Sequence, residues 1–242
     1  MTNNRLRKFV ETYSIFYEEI DSEKKKYGIE KYGVRIIHPT SKTQEDEVIA
    51  YLSKGEQSIN TIAWKLGVDV TPDGLKTQYH EYQRDALEKF CELTNKVDYN
   101  FEDEDGIRDA YNKVSNMVSE LDLVGYGSVY IISSLFFLSK GKVPIYDYYA
   151  NVAVKALLND VNPQRVFVAQ APVRDEHSRN DKTINSAVNM LMEYRKQLEL
   201  LAKGTEYFNT NGMYISRELD RALWVYGHAT KKWPELCEGK WK

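Results

Sequence analysis

The chain has only two cysteines, Cys91 and Cys237, in 242 residues. Two thiols cannot build a disulfide framework, a four-thiolate zinc site or an iron–sulfur cluster. Glycine and proline are scarce as well, with 13 and 6 copies, too few for a loop-rich all-β chain. No long apolar stretch occurs. The longest, Val129 to Leu138, spans ten residues and contains Ser133 and Ser134. A bilayer span needs roughly twenty apolar residues, so this run predicts a buried helix and no membrane partner. Nothing in Met1–Glu11 reads as a signal peptide, which makes a reducing cytoplasm the expected location. An excess of positive charge is missing too: 33 Lys plus Arg against 36 Asp plus Glu give a net charge of -3. That balance argues against an avid, non-specific nucleic-acid binder resting on a broad basic surface, and leaves a local one open. The four histidines, His38, His80, His177 and His228, sit apart with no paired metal-ligand spacing.

What the chain does have is enough apolar content for a core. Hydrophobic residues make up 42% and charged residues 29%, which excludes global disorder. Helical spacing of Phe9, Val10, Tyr13, Phe16 and Tyr17 predicts an N-terminal amphipathic helix. Further helices are predicted over Glu45–Ser53, Ile59–Leu66, Tyr79–Thr94, Ile107–Leu121, Ile184–Ala202 (stopped by Gly204) and Arg217–Tyr226. Asp69 to Gly74 reads as a turn, Asn100 to Gly106 as an acidic boundary loop, and Pro163 to Asp181 as an irregular excursion. The only β-like runs are Val166-Phe167-Val168 and Met213-Tyr214-Ile215. The fold class is therefore mainly α. Three consecutive regions are expected: 1–105, 106–160 and 161–242.

One segment stands apart, Leu121-Asp122-Leu123-Val124-Gly125-Tyr126-Gly127-Ser128, followed by the apolar helix and Pro144-Ile145-Tyr146-Asp147. An amphipathic helix ends near Leu121 and another begins near Ser128. Gly-x-Gly between them permits a sharp reversal with positive φ. The second helix then offers unpaired N–H groups and the positive end of its dipole at the turn. Amides so arranged bind a phosphate without side-chain charge, as a protein of net charge -3 would need. Gly-x-Gly taken alone also serves as a plain packing turn. A dinucleotide fold fits worse, because no strand precedes the glycines and Tyr130 stands where a third glycine belongs. Pro144 breaks the preceding helix and Tyr148–Leu158 reads as the next one. Asp147 therefore falls at an N-cap, a position that by itself explains an Asp.

Together these parts resemble the helix-hairpin-helix DNA glycosylase superfamily. Its pattern runs Leu-Pro-Gly-Val-Gly, an apolar helix, then Pro-x-x-Asp. Here Leu123-Val124-Gly125-Tyr126-Gly127 is followed, twenty residues after Gly127, by Asp147 closing Pro144-Ile145-Tyr146-Asp147. The resemblance covers Leu121 to about Leu158, roughly a sixth of the chain. It implies two helical subdomains flanking a cleft. Two departures matter: Val124 replaces the usual proline, and Val129 stands where members that also cleave the DNA backbone carry a Schiff-base lysine. The implied enzyme is monofunctional and close to the cluster-free branches that excise 8-oxoguanine or alkylated bases.

The resemblance assigns roles residue by residue. Asp147 would stabilise the oxocarbenium-like sugar as the base leaves. Amides around Gly125, Gly127, Ser128 and Val129 would hold a backbone phosphate. In relatives the hairpin carbonyls often bind a monovalent cation, at positions matching Leu121, Leu123 and Tyr126; no other cofactor is implied. The partner would be duplex DNA carrying a damaged or modified base, flipped out of the stack and bound by a monomer. Trp64, Tyr146, Tyr148 and Tyr149 are candidate walls for that base, and core packing is the competing role of each. Lys65, Arg174, Arg179, Arg195 and Lys196 are candidate phosphate contacts. The alternative function is a non-catalytic hairpin module that binds DNA or a protein; a purely structural helical protein is the third.

Overall fold

The computed structural model describes residues 2–14, 17–20, 37–168 and 181–232, with side chains placed over 2–14, 17, 45–168 and 184–229. Helix dominates them, as the apolar spacing predicts. In chain order the elements are α1 (Asn3–Tyr13), β1 (Glu18–Ile20), β2 (Ile37–Ser41), α2 (Lys42–Lys54) and α3 (Ile59–Leu66). Then come β3 (Val70–Thr71), β4 (Gly74–Lys76), β5 (Glu81–Gln83), α4 (Arg84–Asn95) and α5 (Glu104–Glu120). They are followed by α6 (Ser128–Leu138), α7 (Tyr148–Asn159), α8 (Asp181–Ala202) and α9 (Arg217–Lys232). Among the described residues no helix is long and apolar enough to cross a membrane.

Local chemistry explains most of these boundaries. Ser58 and Thr61 form a reciprocal capping box at the start of α3, and Gly67 ends it at φ 68°. Asp103 opens α5 by accepting from the Gly106 amide at 2.7 Å. The acidic stretch expected to be a loop is thus in part the first turn of a helix, where Glu104 and Asp105 suit the positive dipole end. The ten-residue apolar run falls within α6, whose residues Ile131 to Phe137 are all buried; a helix apolar on every side has no face to offer water.

Strand placement departs from expectation. Val166–Val168 is not a strand, and Ile215 makes only a single bridge to Phe208. A small antiparallel sheet forms instead, in the order β3-β4-β5, with Val70 opposite Leu75 and Leu75 opposite Tyr82. The Pro72-Asp73 turn joins its first two strands. The helix predicted from Tyr79 consequently begins only at Arg84, because Tyr82 points its side chain into the core beside Leu75.

The chain divides into two units, each assembled from non-consecutive stretches rather than from the three consecutive regions expected. One comprises 39–145 and 171–192, the other 1–38, 146–170 and 193–242. Local pattern cannot reveal this division, because remote helices share a core. In the unit of 39–145 and 171–192, Leu87 and Phe90 of α4, Ile107, Ala110 and Val114 of α5, and Ile131, Ile132 and Leu135 of α6 are fully buried. In the other, Leu6 and Phe9 of α1, Val152 and Val154 of α7, and Leu219, Leu223 and Val225 of α9 fill the centre.

Candidate functional site

The turn between α5 and α6 is tightly specified. Leu121 ends α5, Asp122 takes φ 50°, and the Leu123 amide donates back to the Val118 carbonyl at 3.0 Å. Leu123 and Tyr126 point inward, at 4% and 2% exposure, while Val124 and Gly125 face out. The Tyr126 hydroxyl shares a hydrogen bond with Ser134 Oγ at 3.0 Å, and its ring packs on Phe90 and Tyr130. Burial pushes this phenol far above its usual range, so it stays a neutral anchor. Gly125 adopts φ 81°, the left-handed region that favours glycine. Gly127 then serves as the N-cap of α6 without any side-chain cap bond, and its carbonyl accepts from Tyr130 and Ile131. The helix therefore starts without a capping side chain, and the Gly127 amide donates to the Gly125 carbonyl at 2.9 Å. The Leu123 carbonyl already accepts the Tyr126 amide at 3.1 Å.

A feature absent from the sequence reading lies against this turn. The His80 imidazole occupies the space above Gly125, where an added Cβ would come within 2.4 Å of the ring. His80 follows Tyr79 in the β4–β5 turn, which Thr77 locks: its amide and hydroxyl donate to the His80 carbonyl, and its hydroxyl accepts from the His80 amide at 2.9 Å. Tyr79 is 79% exposed at this rigid tip. An exposed tyrosine is thus held beside the helix hairpin. With strands of two or three residues, no alternation was long enough to disclose it.

Asp147 lies in the other unit and caps α7. Its Oδ1 accepts from the Tyr149 amide at 2.8 Å and from the Ala150 amide at 3.4 Å, and the residue is half-buried. Capping fixes the direction of the carboxylate. Tyr148 and Tyr149, also half-buried, meet edge to face at 5.4 Å. The Tyr149 ring lies 4.0 Å from His228, which stacks at 4.8 Å on Trp224, whose ring meets Tyr17 at 5.6 Å. Arg221 covers Tyr17. Gly227 makes this array possible: a Cβ there would fall 1.9 Å from the Tyr149 carbonyl oxygen, so only glycine lets α9 approach the start of α7 so closely. Trp224 and His228 lie one helical turn apart, a spacing visible in the sequence.

Two candidate base walls are core residues instead. Trp64 is 2% exposed, donates from Nε1 to Glu45 Oε2 at 2.7 Å and packs edge-on against Phe137. Tyr146 is 1% exposed, accepts from Asn151 Nδ2 at 3.1 Å and meets Tyr194 edge to face. Neither presents a face to a ligand. Of the basic candidates, Arg195 stacks on Tyr214 and Lys196 is exposed; Lys65 is half-buried, and Arg174, Arg179 and His177 lie outside the described residues. No protein-family model, curated protein or solved structure matches the chain.

Proposed function

We propose that the protein is a monofunctional DNA glycosylase that hydrolyses the N-glycosidic bond of a damaged or modified base. The observation that carries this reading is the setting of Asp147: half-buried, aimed by two amides, and flanked by the partly exposed rings of Tyr148 and Tyr149. Breaking the bond sends its electron pair to the departing base and leaves positive charge on the deoxyribose. A fixed carboxylate stabilises that charge and orients the water that adds to the sugar. The base must leave the stack first, at a cost of a few kcal/mol that falls at a mispaired or damaged site. Aromatic faces suit an extruded base, and Tyr148, Tyr149, His228 and Trp224 supply them.

The α5–α6 turn supports the DNA half of the reading. The first-turn region of α6, at Gly125, Gly127, Ser128 and Val129, is suited to a backbone phosphate. Tyr79, rigid and exposed beside it, is suited to stack on a base. Val129 carries no amine, so no Schiff base forms with the sugar at that position. Carbonyl oxygens are hard, neutral ligands; those of Leu121, Leu123 and Tyr126 would hold a monovalent cation, adding positive charge on the phosphate side of the turn.

One observation favours a second reading. Asp147 caps α7 through two amides, the role it would have in a non-catalytic hairpin module. The deciding experiment incubates the protein with duplexes that each carry one modified base and scores abasic sites. Strand-specific abasic sites from at least one duplex, without backbone cleavage, are expected. Salt-dependent binding with no base release from any duplex would establish the module instead.

A further inference from the structure

Three buried polar side-chain atoms, one on α7 and two on α8, have no partner among the described residues. They are the Tyr194 hydroxyl, the Asn151 side-chain carbonyl and the Gln197 side-chain carbonyl. Their residues are 1%, 4% and 8% exposed. Such atoms are rare in native proteins, because each forfeits its hydration for nothing in return. Tyr194 and Gln197 are three apart on α8 and share a face. Tyr194 meets the Tyr146 ring at 5.3 Å, and Tyr146 is tied through its hydroxyl to Asn151. Their chemistry is complementary, with one O–H to donate and two carbonyls to accept.

We propose that one internal water accepts from Tyr194 and donates to Asn151 and Gln197, and that Tyr194 is thereby a positioning residue for Asp147. A buried water commonly makes about three hydrogen bonds, and this set offers that number of partners. The link onward is direct: the Asn151 amide donates to the Asp147 carbonyl at 3.0 Å while its side chain holds Tyr146, the residue before Asp147. Fixing Asn151 therefore fixes the turn that aims the carboxylate. Burial, with the Asp220 and Asp147 charges adding, keeps the Tyr194 phenol well above its usual range, so it remains a donor. The water site rests on the three buried, unpartnered atoms; its bearing on catalysis rests on the glycosylase reading.

Tyr194→Phe tests both, since it removes one hydroxyl and keeps the ring. A high-resolution crystal structure of the unaltered protein should show a water within hydrogen-bond reach of all three atoms, and the variant should lose it. Hydrogen exchange at the Asn151 amide should accelerate selectively, while duplex affinity holds and single-turnover base release falls about tenfold. A dry site, or a protein partner on the Tyr194 hydroxyl, overturns the proposal. So does faster exchange spread evenly over the chain, which marks a merely structural hydroxyl. If the unaltered protein releases no base at all, the glycosylase reading fails alone, and the crystal and exchange results still decide the water and the positioning.

Discussion

The starts of α6 and α7 are the same backbone device put to opposite uses. α6 opens on Gly127, which has no side chain to spend on the first turn. α7 opens on Asp147, which closes its own amides with a carboxylate. The first carries no side-chain cap; the second is closed by its own carboxylate. Each arrangement has a definite physical requirement. α6 follows the left-handed Gly125, against which the His80 ring packs, and α7 needs the close approach of α9 at Gly227 to bring aromatic rings beside its cap. A helix terminus can thus serve as binding donor or as carboxylate holder, and the residue at the N-cap decides which.

The largest effect should come from separating cap from charge at Asp147. Asparagine caps a helix about as well as aspartate, so Asp147→Asn should keep the melting temperature while base release drops by about a hundredfold or more. Gly125→Ala tests the other start. The strained φ and the displaced imidazole should destabilise the protein by about 1–3 kcal/mol, read as a lower melting temperature with weakened duplex binding. Gly127→Asp sharpens the comparison further, because it gives α6 the kind of cap that α7 has. An added Cβ there meets nothing closer than the Gly125 carbonyl at 4.0 Å, so the side chain fits. Stability should rise by a few tenths of a kcal/mol, while duplex affinity falls about tenfold as a carboxylate displaces the phosphate. Stable, full-strength binding by that variant would contradict the open-terminus account.

The smallest effect concerns a third N-terminus, that of α5. Asp103 is held below its ordinary value of 3.8, first by the Gly106 amide and then by Asn100. Glu92, beside Lys96 and Lys89, lies below its ordinary 4.5, as do Glu199 beside Lys203 and Glu206 beside Arg7. A lowered carboxylate contributes stability that is complete above its ordinary value and lost as pH falls through the lowered one. Melting temperature should therefore decline gently below about pH 4. These groups are exposed and screened, so added salt should flatten the decline.

The sequence disclosed what is local. α3 and α6 start where caps and apolar spacing put them, and Asp147 falls at the start of α7 because Pro144 and the following apolar positions define the break. What it hid depends on distance along the chain or on context. Strands of two or three residues leave no readable alternation, so the apolar spacing that predicts a helix from Tyr79 masks the Tyr79–His80 tip. The Tyr17–Trp224–His228–Tyr149 array joins residues from both ends of the chain and depends on one glycine in α9. Trp64 and Tyr146 show the converse: an aromatic residue type does not distinguish a ligand wall from a core, and only burial places them in the core.

The central claim is that the Asp147 carboxylate acts on a sugar in addition to capping a helix. Its most direct test is single-turnover base release by Asp147→Asn and the unaltered protein, on whichever modified duplex the latter processes, at matched melting temperature and duplex affinity. The account predicts loss of release with cap and binding intact. Release at the unaltered rate would contradict it and reduce Asp147 to a capping residue.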